Sequence, residues 1–290
     1  MSEKPPELKL DTERKIFELL PMCGADSRLE ASGLVRRSDV YFVVFDNIGQ
    51  VARIQCDLER TECNAFLGEP TGHGFESLAV NERNGHFYLV IEALPAEDGA
   101  FRAKLVEMDS DFGCLSQQWL DFEFEHENRG FEGLAVVHRD DGQYLLALCE
   151  GNRCKAGREG REPGGGRIQV FREQDSHWTH HATITLPEQV RFEDYAGLAL
   201  HGDRIAVVSQ QSSALWIGCL DSASWTIKGA GESYAFPRSR KGKIQYGNVE
   251  GVCWLGEQRV AVVSDKRKSD DPKRYKDKDQ SIHIFDIPDA

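Results

Sequence analysis

A short apolar run that includes one glycine or serine recurs along the chain. The five copies are EASGLV at 30–35, FESLAV at 75–80, FEGLAV at 131–136, DYAGLAL at 194–200 and VEGVCW at 249–254. Each copy is followed by a second apolar run, by a third after a loop, and in most cases by a weaker fourth. Short runs rich in β-branched and aromatic residues, separated by Gly, Asp and Asn turns, predict antiparallel strands rather than helices.

The spacing of the copies predicts a β-propeller. The equivalent small residues, which lie 44 to 64 residues apart, are Gly33, Ser77, Gly133, Gly197 and Gly251. A blade of four strands takes about 40–45 residues, so no interval has room for two blades. We therefore predict an all-β fold, a single β-propeller domain of five four-stranded blades over residues 1–290. A β-sandwich with accidental similarity between its strands is the alternative.

The last unit has only three strand-like runs, which end near Ile287. The segment KIFELLP at 15–21 precedes the first copy just as ATITLP precedes the fourth. We predict that this N-terminal segment completes the C-terminal blade, because the closure removes open sheet edges at the seam. Residues 1–14 are then expected to form a flexible tail.

Composition and charge narrow the cellular context. The net charge of −13 argues against a nucleic-acid binder, whose surface must be basic. The N-terminus is charged where a signal peptide needs an apolar segment, and the longest apolar run, Val40–Phe45, is too short to span a membrane. We expect a cytoplasmic monomer that does not bind membranes.

The eight cysteines form no CxxC pair, and we interpret them as buried, reduced thiols, with a disulfide or a zinc site as the alternative.

Acidic residues occupy corresponding places in the five copies. In three copies a glutamate stands directly before the small residue, namely Glu76, Glu132 and Glu250. The other two copies carry Glu30 or Asp194 two residues earlier, which is the same face of an extended strand. Since the first strand of each blade lines the central channel, we predict that all five carboxylates point at the axis near one mouth.

Five converging carboxylates cannot all stay ionised unless a cation lies among them; otherwise some of their pKa values must rise. Oxygen ligands without His or Cys favour a hard cation, with calcium the first choice and magnesium the second. The alternative is that the acids bind backbone amides or pair with arginines, and hold no metal.

The repeated E-G-L and E-x-S-G-L motifs at the start of the inner strands resemble those of the SdiA-regulated and esterase-like-phytase propellers. In general form the chain is also similar to the calcium-dependent apyrases. The resemblance implies an axial calcium ligated by some of the five acids above. The chain departs from the motif at Ser32 and Ala196, which stand where the other copies have glutamate.

The ends of the second strands belong to the same mouth, because the second strand of a blade returns to the face where the first begins. The residues there are Asp46, Glu92, Glu150, Gln210 and Asp265. Polar residues are also usual wherever a strand reaches water, so this ring is compatible with simple solvation.

Basic residues are concentrated in three loops predicted to surround this mouth, at 150–167, 237–248 and 265–280. An acidic axis surrounded by cations suits an anionic ligand bridged by a metal ion. The alternative is that these loops are only solvated. The predicted ligand-binding residues, most of them chosen for adjoining an axial or strand-end acid, are Arg129, Arg238, Lys266, Glu150 and Asp265.

Two histidines precede axial glutamates by three and six residues, His73 in TGHGFE and His126 in FEHENRGFE. Each is a candidate general acid or base, and the alternative role is to cap a loop. Together these features predict a calcium-dependent hydrolase that acts on a small anionic ester, with a phosphoester as the first choice. The alternative is a non-catalytic binding propeller with a structural calcium, which holds an acidic small molecule or peptide.

Overall fold

Twenty strands form five antiparallel four-stranded sheets in the computed structural model, which describes residues 4–127 and 129–288. The sheets are the blades of a five-bladed β-propeller, which confirms the predicted fold. Blade 1 consists of β2 (Ala31–Arg37), β3 (Val40–Phe45), β4 (Ile48–Gln55) and β5 (Ala65–Leu67). Blade 2 consists of β6 (Ser77–Val80), β7 (Phe87–Pro95), β8 (Phe101–Met108) and β9 (Cys114–Trp119).

The remaining blades repeat this order of strands, except at the seam. Blade 3 consists of β10 (Phe131–Arg139), β11 (Gly142–Cys149), β12 (Arg167–Gln174) and β13 (His177–Thr185). Blade 4 consists of β14 (Gly197–His201), β15 (Arg204–Ser209), β16 (Ala214–Asp221) and β17 (Thr226–Ala235). Blade 5 consists of β18 (Val249–Gly256), β19 (Arg259–Ser264), β20 (Ser281–Asp286) and the N-terminal β1 (Lys9–Lys15).

Helical structure in the described ranges is limited to short turns. These are the α-helices α1 (Ile16–Leu19) and α2 (Gly157–Gly160), and the 3-10 turns Asn152–Cys154 and Lys273–Tyr275. Neither α-helix is long and apolar enough to cross a membrane.

An N-terminal strand closes the ring as predicted, but it lies earlier in the chain than residues 15–21. Strand β1 pairs with β20, with Lys9 opposite Asp286 and Lys15 opposite Ser281. An outer strand is half-solvated, which suits the polar KLDTERK. The apolar residues Ile16 and Leu19 instead turn into the core between blades. The expectation of a flexible tail is therefore wrong for residues 9–14, whereas residues 1–3 lie outside the described residues.

The interpretation of all cysteines as reduced is wrong for one pair. Cys149 at the end of β11 and Cys154 form a disulfide, because the intervening turn brings their Cα atoms to 5.2 Å. All eight cysteines lie in the described ranges, and the other six are free. Of these six only Cys253 is fully buried, while Cys63 and Cys114 are exposed.

The small residue of each repeat lies where neighbouring inner strands touch. A Cβ atom on Gly251 would lie 2.7 Å from Cα of Gly33, and one on Gly133 would lie 2.4 Å from Cβ of Leu198. Both distances are shorter than packed atoms tolerate, so the inner strands need glycine there to pack side by side around the axis. The serine of the second copy, Ser77, instead uses its Oγ to accept the N–H of Leu134 on the next inner strand at 3.2 Å.

Adding a methyl group at this contact should destabilise the ring. We expect Gly251→Ala to lower the free energy of unfolding by about 1–3 kcal/mol or more, because the new Cβ meets backbone atoms that cannot move independently. Gly24→Ala is the matched control, since a Cβ there meets no atom within 4 Å. Urea denaturation of both variants measures the difference, and equal stability would contradict the role of this contact.

The seam is held by a buried polar contact between β1 and the last blade. The Glu13 carboxylate accepts hydrogen bonds from Nζ of Lys278 at 2.7 and 2.8 Å and lies 3.2 Å from Nδ1 of His283. These partners, His283 first, lower the pKa of Glu13 to about 2 although burial opposes the shift. Burial also lowers the pKa of His283.

This contact makes the closure sensitive to acid. A depressed folded-state pKa means that Glu13 stabilises the fold above its ordinary pKa of about 4.5, and that the contribution is lost as the pH falls towards 2. We expect Glu13→Gln to destabilise the protein at pH 7 by about 1–2 kcal/mol, a modest value because the side chain is partly solvated. The exposed Glu7→Gln serves as control. Denaturation at a series of pH values should show the difference between Glu13→Gln and the parent shrinking below pH 4.5, and a difference independent of pH would contradict the assignment.

Candidate functional site

Breaks in strand pairing direct the residue before the small residue towards the axis. Pairing of β10 with β11 passes from Phe131 directly to Gly133 and leaves Glu132 unpaired. The same break occurs in β18, where pairing passes from Val249 to Val252 and skips Glu250. Such β-bulges re-aim a side chain and are common beside functional sites. The inner strands thus present their glutamates to the channel rather than to a neighbouring blade.

The second strands bring a further set of polar residues to the same mouth. Asp46, Glu150, Gln210 and Asp265 each directly follow the last residue of β3, β11, β15 and β19. Glu92 lies within β7, at a break in its pairing with β8. Because each second strand runs antiparallel to an inner strand, its end meets the start of that strand.

Most members of both sets meet in one cavity of about 260 Å³ at the axis, whereas Glu30 and Asp265 are outside its lining. The axial acids predicted from the repeats that line it are Glu76, Glu132, Asp194 and Glu250. The other charged or amide side chains in its lining are Asp46, Glu92, Glu150, Gln210 and Lys268. The fifth predicted acid, Glu30, is buried beside this group, where it pairs with Arg28 and shares a hydrogen bond with Asp46.

Burial and mutual repulsion raise the pKa values of several of these carboxyl groups. Burial and the charges of Glu92 and Glu150 raise the pKa of Glu76 to about 8. Burial and the contact with Glu30 raise that of Asp46, also to about 8. Burial is again the first cause of the other raised pKa values, to about 7 for Asp265, to about 6 for Asp194, and well above the ordinary value for Glu132 and Glu250. At neutral pH part of the ring is therefore protonated.

Two carboxylate oxygens in this ring have no hydrogen-bond partner. Oδ1 of Asp46 and Oδ2 of Asp265 are both buried and unpartnered. Other members are satisfied: Glu250 accepts a hydrogen bond from Nε2 of Gln210 at 2.9 Å, and Asp194 accepts from Oγ of Ser209 at 2.5 Å. Since buried acceptors are normally paired, the two orphan oxygens mark a place for a donor or a cation.

The cation at this mouth is Lys268, which the sequence analysis did not single out. The charges of Asp265, Glu250 and Asp46 raise the pKa of Lys268 although burial opposes the shift. Its Nζ makes no hydrogen bond or ion pair with the described residues. The sequence contains a hint of this position, because Lys268 follows Asp265 by three residues. In the structure, Nη1 of Arg267 donates to the carbonyl of Asp271 at 2.8 Å within the same loop. Lys266 was predicted instead, and its Nζ faces away to the carbonyl of Ser27 at 3.4 Å.

Of the other predicted ligand-binding residues, Arg129 lies close to the cavity and Arg238 does not. Arg129 pairs through Nη1 with Glu150 at 2.5 Å. Arg238 is exposed in a small turn where it bridges Ile244 through the backbone, outside the cavity lining. Both candidate histidines, His73 and His126, are also exposed and outside this lining. The structure therefore does not bring the histidines together with the carboxylates.

Several cations of the three basic loops contact nearby acids or backbone carbonyls rather than the cavity. Lys155 pairs with Glu125, and Arg153 pairs with Glu162 at 3.3 Å. Arg274 donates through Nε to the carbonyl of Ile244 at 2.6 Å. Among the described residues Lys268 is the only cation in the lining of the axial cavity, so the mouth is predominantly acidic.

The opposite end of the channel differs sharply. The cavity there, of about 340 Å³, is lined mainly by apolar residues from the far halves of the inner strands, among them Val35, Val80, Val136, Leu200 and Trp254. Arg36, Glu82 and His201 also line that cavity, but most of the polar side chains of the channel lie at the mouth where the inner strands begin.

Comparisons with known proteins agree with the architecture. Glutaminyl cyclase from Myxococcus xanthus is similar over 99% of this chain and 100% of its own, with a TM-score of 0.57 and 12% identity. A GH43 β-xylosidase/α-arabinofuranosidase from a compost microbial metagenome is similar over 96% of each chain, with a TM-score of 0.53 and 10% identity. These likenesses show the propeller fold alone. No protein-family profile and no curated protein matches the sequence, so the family resemblance drawn from the motifs stays a prediction.

The raised pKa values predict that the metal-free protein loses stability as the pH rises. In the unfolded chain Glu76 and Asp46 ionise near pH 4, whereas in the fold they keep their protons up to about pH 8. The unfolded state then binds fewer protons, so the free energy of unfolding falls with increasing pH, by up to about 1.4 kcal/mol per pH unit for each group.

Denaturation in the presence of a chelator between pH 6.5 and 8.5 measures this effect. We expect Glu76→Gln to flatten the dependence and the exposed Glu69→Gln to leave it unchanged. A parent protein whose stability is constant over this interval would show that the ring is not strained by charge.

Proposed function

We propose that the acidic mouth binds one hard divalent cation, calcium first and magnesium second, and serves the hydrolysis of a small anionic ester, with a phosphoester as the first choice. The observation that supports it most is the pair of buried, unpartnered oxygens on Asp46 and Asp265 within a ring of carboxyl groups that repel one another. A cation would satisfy both oxygens and offset the repulsion at once. Solved propellers of this fold include proteins named as a cyclase and a glycosidase, so enzymes are known on this fold.

The side chains present fit a hard cation by their chemistry, because all candidate ligands are oxygen atoms. Asp46, Asp265, Glu76 and Glu250 would hold it, and Glu132 lines the axial cavity. Within residues 4–127 and 129–288, no three His, Cys, Asp or Glu side chains already stand in positions to hold a metal ion. The carboxylates would therefore have to draw together around it.

This set differs from the five acids proposed from the repeats. Glu30 is engaged by Arg28, and Asp194 by Ser209 and by the N–H of Gln211 at 3.1 Å. These two acids have less free acceptor capacity than Asp46 and Asp265. We therefore assign them to the support of the ring rather than to the cation itself.

A bound cation would polarise an ester oxygen or lower the pKa of a bound water. Lys268 would attract the anionic group, since its ammonium is free and faces the cavity. Glu92 replaces the two histidines as candidate general acid, because burial and the charge of Glu150 raise its pKa although Arg129 opposes the shift. A half-buried carboxyl group that keeps its proton to higher pH can protonate a leaving group.

The second candidate function is a non-catalytic binding propeller with a structural calcium. The exposure of His73 and His126, away from the cavity, favours it, because it removes the two side chains first considered for proton transfer. Here Lys268 would hold an acidic ligand and no bond would be broken.

Calcium should stabilise the folded protein. Calcium at about a hundred times its dissociation constant adds about 2.7 kcal/mol to the free energy of unfolding, which corresponds to about 5 °C in melting temperature. We expect Asp46→Asn to abolish this shift, because the amide cannot become the negatively charged oxygen ligand that a divalent cation favours. Asp39→Asn is the matched control, as that side chain is 92% exposed. A parent protein that melts alike with calcium, magnesium and chelator would refute the cation site.

Turnover distinguishes the two functions. With calcium present, p-nitrophenyl phosphate and p-nitrophenyl acetate report hydrolysis of a phosphoester and a carboxylester. We expect Glu92→Gln to lower kcat by about 10²–10⁴-fold, as for loss of a general acid, and Lys268→Gln mainly to raise KM. Calcium binding without turnover of either ester would favour the binding propeller.

A further inference from the structure

A second cavity of about 190 Å³ adjoins the acidic mouth. It shares Glu150, Asp194 and Gln210 with the axial cavity, so the two compartments are neighbours. Its outer wall is the loop that follows β11 and contains the helix α2. We refer to this compartment as the side pocket.

The lining of the side pocket is wholly polar. It consists of glycine backbone and of charged or carboxamide side chains, without an aliphatic or aromatic side chain among them. The cations are Arg129, Lys155 and Arg161, and the carboxylates are Glu150, Glu193 and Asp194. Such a surface offers nothing to an apolar ligand. Its opposing charges are equal in number, so it has no strong preference for a simple anion or cation either.

Several groups in this lining remain available to a ligand. Arg129 and Glu150 pair with each other, and Lys155 pairs with Glu125. Within the described residues, by contrast, the side chains of Arg161, Glu193 and Gln211 make no hydrogen bond or ion pair. The free groups are thus a donor, an acceptor, and a carboxamide that is both.

A disulfide and buried hydrogen bonds fix the conformation of the loop that forms the wall of the side pocket. The Cys149–Cys154 disulfide ties the loop to the end of β11. The buried Asn152 donates to the carbonyls of Gly160 and Phe192 at 3.0 and 3.1 Å, and its Oδ1 accepts from the hydroxyl of Tyr195 at 2.9 Å. A wall ordered in advance loses little conformational entropy when a ligand binds.

We propose that the side pocket binds a hydroxyl-rich neutral group, such as a monosaccharide or a cyclic polyol. A hydroxyl both donates and accepts hydrogen bonds, and it therefore matches a lining that presents donors and acceptors in balance. A carboxylate or a fully ionised phosphate group only accepts, and an ammonium only donates, so each would leave part of the lining unsatisfied. The proposal does not depend on the cation, because the groups that carry it lie outside the ring of unpartnered carboxylates.

The experiment uses the full chain in chelator, so that its outcome is separate from that of the cation proposal. Saturation-transfer NMR and calorimetric titration with D-xylose, D-glucose and myo-inositol should show binding of at least one of them in the millimolar range. Glycine and inorganic phosphate test the zwitterionic and anionic alternatives. We expect both to bind more weakly than the best of the three neutral compounds.

Two substitutions test the location. Arg161→Leu and Gln211→Leu should each weaken binding about fivefold, the effect of losing one net hydrogen bond. Arg158→Leu is the matched control, because this exposed residue of the same loop does not line the side pocket. The proposal is overturned if none of the three compounds binds, if glycine or phosphate binds more tightly than they do, or if both substitutions leave the affinity unchanged.

Discussion

The close contact of the inner strands around the axis is the constraint on which the rest of this structure depends. Gly33 and Gly251 meet there backbone to backbone, and neither has room for a Cβ atom. Strands that approach so closely bring the side chains before these glycines into one small space. The acidic cavity is thus a consequence of how the blades pack: in the third and fifth copies the same contact requires the glycine and positions the glutamate before it, Glu132 or Glu250.

Crowded carboxyl groups in a buried space repel one another, and the protein reduces this repulsion in several ways. Protons compensate in part, since the pKa values of Glu76 and Asp46 rise to about 8. Hydrogen bonds from Ser209 and Gln210 satisfy other members, and the ammonium of Lys268 supplies one positive charge. These devices leave two buried oxygens without a partner, so the compensation is incomplete. One more lysine or arginine would have reduced the remaining repulsion. A mouth that instead keeps unpaired carboxylates has a composition typical of a binding site rather than of a structural core.

The architecture could be predicted from the sequence because blade number depends on the spacing of repeats, which the sequence displays directly. The inward register of Glu76, Glu132 and Glu250 followed from the same alignment. The closing strand was placed too late because KIFELLP is the more apolar segment, whereas an outer strand that faces water on one side is satisfied by KLDTERK. Apolar content is therefore a poor guide to the outermost strand of a blade.

The side-chain contacts at the mouth were harder to predict from the sequence, because they depend on which way the loop residues turn. The position of Lys266 next to Asp265 made it the expected contact, yet hydrogen bonds within its loop direct Lys268 towards the cavity instead. The basic loops misled for a related reason: few of their many cations face the axial cavity, and some pair with nearby acids, as Lys155 does with Glu125. Charge counted along a sequence measures the net field of a loop only when its ion pairs are known. In this propeller Lys268 is the one cation in the axial lining among the described residues, so the cation that faces the mouth, rather than the many in the surrounding loops, determines what the mouth can bind.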